Sequence, residues 1–106
     1  MLTLKDAHNI FIDFDIIKAS NIHTLKGELV RLIDAGKFIY LWSKSVHPAL
    51  IKQWCSEKEL LDYIWGYEAK DSFVYSKVDF VIDPDQKVID RFNHAGIPGN
   101  VLGEIK

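Results

Sequence analysis

Residues 10–15 read Ile10-Phe11-Ile12-Asp13-Phe14-Asp15. A short run of β-prone apolar residues passes straight into two aspartates separated by one residue. Such a run predicts a strand buried on both faces, as in the middle of a parallel sheet. A strand of this kind cannot carry a carboxylate along its length. It can release one at its C-terminal end, where ligands of open α/β sheets bind. Residues two apart on a strand point the same way, so Asp13 and Asp15 are expected to leave the strand as a pair.

The rest of the composition narrows the class. A chain of 106 residues with 48% hydrophobic content is read as a single domain, 1–106, with a buried core. Its apolar residues come in short blocks, none approaching the ~20 residues of a membrane helix. A net charge of −2 with scattered Lys and Arg implies no nucleic-acid partner. Cys55 stands alone in a helical pattern and reads as a core thiol of a reducing compartment. The opening MLTLKDAHN has neither a signal-peptide nor a transit-peptide character, and a cytoplasmic location is expected. An aromatic content of 12% is compatible with a homodimer that hides some of those rings.

Outward from the first strand, Ile16 to His23 reads as a loop leading to a helix capped by Thr24, with Leu25, Leu29, Leu32 and Ile33 on one face and Gly36 ending it. Phe38 to Trp42 is a second buried strand that delivers Ser43, Lys44 and Ser45. Pro48 begins another helix at its first turn. Ser56 to Glu59 matches a capping box opening a further helical run through Trp65. Ser72 to Tyr75 is a short strand candidate. Val78 to Ile82 is a clearer strand, ending in Asp83-Pro84-Asp85. A helix with Val88, Ile89 and Phe92 inward follows, stopped by Gly96, and Gly99 to Ile105 supplies a weak edge strand. This alternation predicts an α/β fold: a three-layer α/β/α sandwich with a small, Rossmann-like parallel sheet. The Ile10–Phe14 strand lies at its centre, flanked by the strands of Phe38–Trp42 and Val78–Ile82.

The strand ends hold the chemistry. Asp13 and Asp15 leave the first strand, Ser43 the second, and Asp83 and Asp85 the later one, with Lys77 just ahead of it and Lys70 a rival lysine. Aspartates from two strands can hold Mg2+, a hard cation that takes oxygen ligands. A hydroxyl and an ammonium beside them can grip phosphate oxygens. One carboxylate is then a plausible nucleophile, and a second can protonate the leaving group.

In this respect the chain resembles the haloacid dehalogenase-like superfamily of phosphohydrolases. The family's first motif, an apolar strand followed by DxDx[T/V], is similar to IFIDFDII, with Ile17 in the last place and Ile16 where Gly is usual. Its second, a strand ending in Ser or Thr, is similar to FIYLWS. Its third is a lysine, and its fourth a strand ending in acidic residues, similar to VDFVID followed by Pro84 and Asp85. The resemblance implies a small, capless member: a magnesium-dependent phosphatase working through an aspartyl-phosphate. Asp13 would be the nucleophile, Asp15 the general acid and base, Ser43 a phosphoryl hydrogen-bond donor and Lys77 its neutralising charge. Asp13, Asp15, Asp83 and Asp85 would form the magnesium site. The partner implied is a phosphorylated substrate whose class the sequence does not name.

Two other readings compete. In one, a catalytically decayed relative serves as a binding or assembly module, which Ile16 and Pro84 favour and the retained Asp13 and Asp15 oppose. In the other, a phosphoacceptor receiver domain, the acidic cluster and the lysine come in the wrong order. Asp85 serves equally well as an N-cap of the following helix, and Ser43 and Ser45 as helix-entry residues. The three tryptophans read as core or interface residues. His8, His23, His47 and His94 have no metal-ligand spacing.

Overall fold

The computed structural model describes residues 7–70 and 77–103. The sequence expectation of a parallel sheet centred on the first strand is met. Strands β1 (Asn9–Asp13), β2 (Phe38–Ser43), β3 (Gly66–Ala69), β4 (Phe80–Asp83) and β5 (Gly99–Val101) form one sheet in the order β3-β2-β1-β4-β5. Every neighbouring pair is parallel, with Ile12 opposite both Leu41 on β2 and Ile82 on β4. Helices α1 (Phe14–Ala19), α2 (Ile22–Asp34), α3 (Pro48–Glu57) and α4 (Gln86–His94) connect the strands, with a short 3-10 turn at Leu61–Tyr63. The chain builds outward from β1 through β2 to β3, then crosses to the other side of β1 for β4 and β5. The order therefore reverses between β1 and β4, the place where an open α/β sheet parts its loops and leaves a crevice.

Alternation along the central strands builds two cores. Ile10, Ile12, Ile39 and Leu41 pack with Leu25, Leu29, Ile51 and Cys55 from α2 and α3. Phe11, Trp42 and Val81 pack with Ile89 and Phe92 of α4. Phe11 stacks on Tyr40 at 4.6 Å and meets Trp42 at 4.8 Å, and Trp42 in turn meets Phe92 at 5.4 Å. Aromatic contacts of this geometry add to the burial of the rings themselves. Through Trp42 they tie α4 to β2. Burial pushes the Cys55 thiol up to about 11, which keeps it protonated and inert at neutral pH.

Helix α2 ends as expected at Gly36, and α4 at Gly96, both with positive φ, at 81° and 84°. In each the next residue donates back to the third-last carbonyl of the helix, Lys37 to Leu32 at 3.0 Å and Ile97 to Phe92 at 2.8 Å. This is the Schellman closure, which uses the left-handed conformation that glycine adopts at no steric cost. Helix α3 closes in the same way, with Leu60 donating to Cys55 at 2.8 Å, but Glu59 takes the left-handed position at φ 59°. That closure corrects the reading of Ser56–Glu59 as a capping box. Leu60 is fully buried and packs in the same cluster as Cys55, so the apolar contact across the closure outweighs the local start signal. Glu59→Gly should stabilise the protein by about 1 kcal/mol, read as a higher urea midpoint; no gain would mean that the Glu59 side chain offsets its backbone strain.

Three further boundaries differ from expectation. The first strand ends at Asp13, and residues 14–19, read partly as strand and partly as loop, form α1, with Asp13 as its N-cap. Asn21, not Thr24, caps α2, its Oδ1 accepting from the His23 and Thr24 amides. The segment Gly66–Ala69, read as following a helix, is the edge strand β3. The Ser72–Tyr75 strand candidate lies outside the described residues.

Candidate active site

Both central strands flanking the switch point end in a buried carboxylate. Asp13 closes β1 and Asp83 closes β4, with 5% and 1% of their surface exposed. They follow directly on the paired residues Ile12 and Ile82, so the parallel register sets them side by side. Each is held by the backbone that leaves its strand. Asp13 Oδ1 accepts the Asp15 amide at 2.8 Å, and Asp83 Oδ1 accepts the Asp85 amide at 2.9 Å. Their Oδ2 atoms turn to one cation. Lys70, the residue after β3, donates from Nζ to Asp83 Oδ2 at 2.6 Å and also hydrogen-bonds Asp13 Oδ2. Its ammonium lies 5.9 Å over the buried Trp42 ring, a favourable place for a cation. Burial works against its charge, yet hydrogen bonds and charge from Asp13 and Asp83 outweigh it and hold Lys70 above the ordinary lysine value.

Around this triad opens a cleft of about 520 Å³, lined by Asp15, Ser43, Lys44 and Asp85 as well as by the triad. Ser43 closes β2, and its Oγ accepts the Ser45 and Val46 amides at 3.2 and 3.1 Å. These two bonds use the oxygen as an acceptor and leave the O–H to donate. The sequence-derived set of Asp13, Asp15, Ser43, Asp83 and Asp85 thus lines one cleft at the C-terminal edge of the sheet.

Within that cleft the roles divide unevenly. Asp15 does not leave a strand beside Asp13, as the pleat argument expected, because α1 has already begun. It sits in the first helical turn, largely exposed, with Lys18 Nζ at 3.4 Å from its Oδ1. An exposed pair of that kind is worth little and is readily exchanged. Asp85 caps α4, accepting the Lys87 amide at 2.9 Å. Lys77 lies elsewhere, exposed and 3.3 Å from Glu68. Lys70, the rival lysine, is the one that reaches Asp13.

Magnesium is the cofactor that the sequence resemblance implies. Among the described residues no group of three or more His, Cys, Asp or Glu is placed to hold a metal ion. Two carboxylate oxygens, from Asp13 and Asp83, do converge on a single cation, the Lys70 ammonium. One or two carboxylates, completed by water and substrate phosphate, are the usual protein share of a Mg2+ site. Asp13 and Asp83 are therefore the residues that would hold the ion.

Sequence reasoning missed two cleft residues, Lys87 and Arg91 on α4. Their signal in the sequence was partial: a basic pair four residues apart, hence on one helix face, in a helix capped by Asp85. Among the described residues no helix is long and apolar enough to cross a membrane. The chain matches no protein-family model, no curated protein and no solved structure.

Proposed function

We propose that the cleft is the phosphoryl-transfer site of a magnesium-dependent phosphohydrolase that works through an aspartyl-phosphate. The observation that carries this reading is the Asp13–Lys70–Asp83 triad at the topological switch point, two buried carboxylates and a half-buried ammonium opening on a cleft. A structural ion pair would need no cleft, and the Asp13 oxygen that the backbone does not fix is the one that meets Lys70 there.

In the proposed reaction an Asp13 oxygen attacks phosphorus while the ester P–O bond breaks. Asp15 gives its proton to the departing alkoxide. Water then attacks the phosphorus of the aspartyl-phosphate, its proton passing to Asp15, and inorganic phosphate leaves as the Asp13 carboxylate is restored. Lys70 and the Ser43 hydroxyl stabilise the charge on the transferring oxygens. Asp13 and Asp83 would hold magnesium, which supplies further positive charge at the phosphoryl group. Apolar clusters on opposite faces of the sheet support the three-layer arrangement that goes with this reading.

A non-catalytic binding module is the second reading, favoured by the engagement of Asp15 with Lys18 and of Asp85 with the α4 cap. Turnover of an aryl-phosphate panel separates the two. The hydrolase reading expects hydrolysis that requires magnesium and that Asp15→Asn slows by ~10²–10⁴-fold, as for a lost general acid. No magnesium-dependent hydrolysis, together with no stabilisation by magnesium, would favour the binding module.

A further inference from the structure

The floor of the cleft is compact and internally paired, with Lys70 bonded to both Asp13 and Asp83. Its rim is not. Lys44, Lys87 and Arg91 line the same cleft, and among the described residues none of the three lies in an ion pair with a carboxylate. Lys87 and Arg91 stand four residues apart on α4, on one face and about 6 Å along its axis, and Lys44 joins the lining from the loop after β2. The acidic residue of α4, Asp90, is instead held by Gln86 at 2.7 Å and does not line the cleft. The helix thus presents its basic residues to the cleft and withholds its acidic one. Val88 and Phe92, between and beside them, give this wall an apolar floor.

A phosphate monoester with a neutral leaving group would leave those cations without a counterpart. The transferring phosphoryl group is already served by Lys70 and Ser43. Resting on the reading of the cleft as a phosphoryl site, we infer that its substrate is a small bisphosphate: one phosphate at Asp13, and a second, carried by the leaving group, bound by Lys87, Arg91 and Lys44. Arginine and lysine side chains bind phosphate through charge-assisted hydrogen bonds. A short carbon chain between the two phosphates would lie along Val88.

Non-hydrolysable probes test this without needing turnover. Propane-1,3-diyl bisphosphonate and propylphosphonate differ only in the second anionic group. Calorimetry on the wild-type protein with magnesium at low ionic strength should show the bisphosphonate binding at least about 10-fold more tightly, the scale of one or two charge-assisted contacts. The preference should fall as salt is added. In the double variant Lys87→Gln/Arg91→Gln, whose two positions are exposed on α4, it should shrink to within about 3-fold.

Equal wild-type affinities, binding of neither probe, or a preference that survives the double substitution would each overturn the inference. Parallel aryl-phosphate assays separate it from the hydrolase reading. A bisphosphonate preference without any hydrolysis keeps the anion site and discards the enzyme. Magnesium-dependent hydrolysis with equal probe affinities does the reverse.

Discussion

Lys70→Met is expected to lower the unfolding free energy at pH 7 by about 3–5 kcal/mol, the cost of leaving buried charge without its partner. Methionine fills much of the lysine stem's volume, so the loss reports the ammonium more than the packing. Without it, Asp13 and Asp83 face each other as adjacent buried carboxylates, and like charges in such a site repel strongly. The pH dependence has a definite sign. Lys70 binds its proton more tightly in the folded than in the unfolded chain, so its contribution is complete below the ordinary lysine value of 10.5. It is lost as pH rises through the higher folded value. Urea unfolding of the wild type should therefore show an alkaline loss of stability that Lys70→Met lacks. Magnesium should recover part of the variant's deficit, because it supplies another cation to the same two oxygens. A loss under about 1 kcal/mol, typical of an exposed pair, would mean that the triad is loose and water-filled.

Asp13→Asn should reduce phosphate-ester turnover by at least about 10⁴-fold, since an amide is a poor nucleophile and nothing else on β1 can replace it. The substitution is close to isosteric, and Asn Oδ1 can still accept the Asp15 amide that starts α1. Lys70 keeps Asp83 as its partner, so the stability cost should be smaller than that of Lys70→Met. A circular dichroism spectrum like that of the wild type, with activity gone, is the expected pair of results. Retained turnover would move the nucleophile away from Asp13 and end the aspartyl-phosphate reading.

What the sequence disclosed, and what it hid, follows from how each element earns its stability. The three central strands were legible because Ile10–Ile12 and Phe80–Ile82 are buried on both faces, and Phe38–Trp42 is an unbroken apolar run although Phe38 is exposed and Tyr40 half-buried. The edge strand Gly66–Ala69 was not legible, because one edge is solvated and GYEA needs no apolar run. With β3 unseen, Lys70 had no strand end to stand on, and Lys77, just ahead of the strand that ends in Asp83, took the lysine role. The α1 start was hidden for a different reason. Phe14, Ile16 and Ile17 are all buried, so a short helix packed on its apolar side resembles a strand that simply continues. The strand-end positions of Asp13, Ser43 and Asp83 needed only the end of each apolar run. The rim residues Lys87 and Arg91 needed the fold, because a basic pair on a helix becomes a site only when that face meets a cleft.

The most direct test of a phosphoryl site centred on Asp13 is a crystal structure of the protein grown with magnesium and beryllium fluoride, a mimic of a phosphorylated aspartate. The expected result is a trifluoroberyllate bonded to an Asp13 carboxylate oxygen, with a magnesium ion held by Asp13 and Asp83, Lys70 against the fluorines, and no such adduct in Asp13→Asn. Clear density for an unmodified Asp13, still paired with Lys70 in the presence of both reagents, would contradict it.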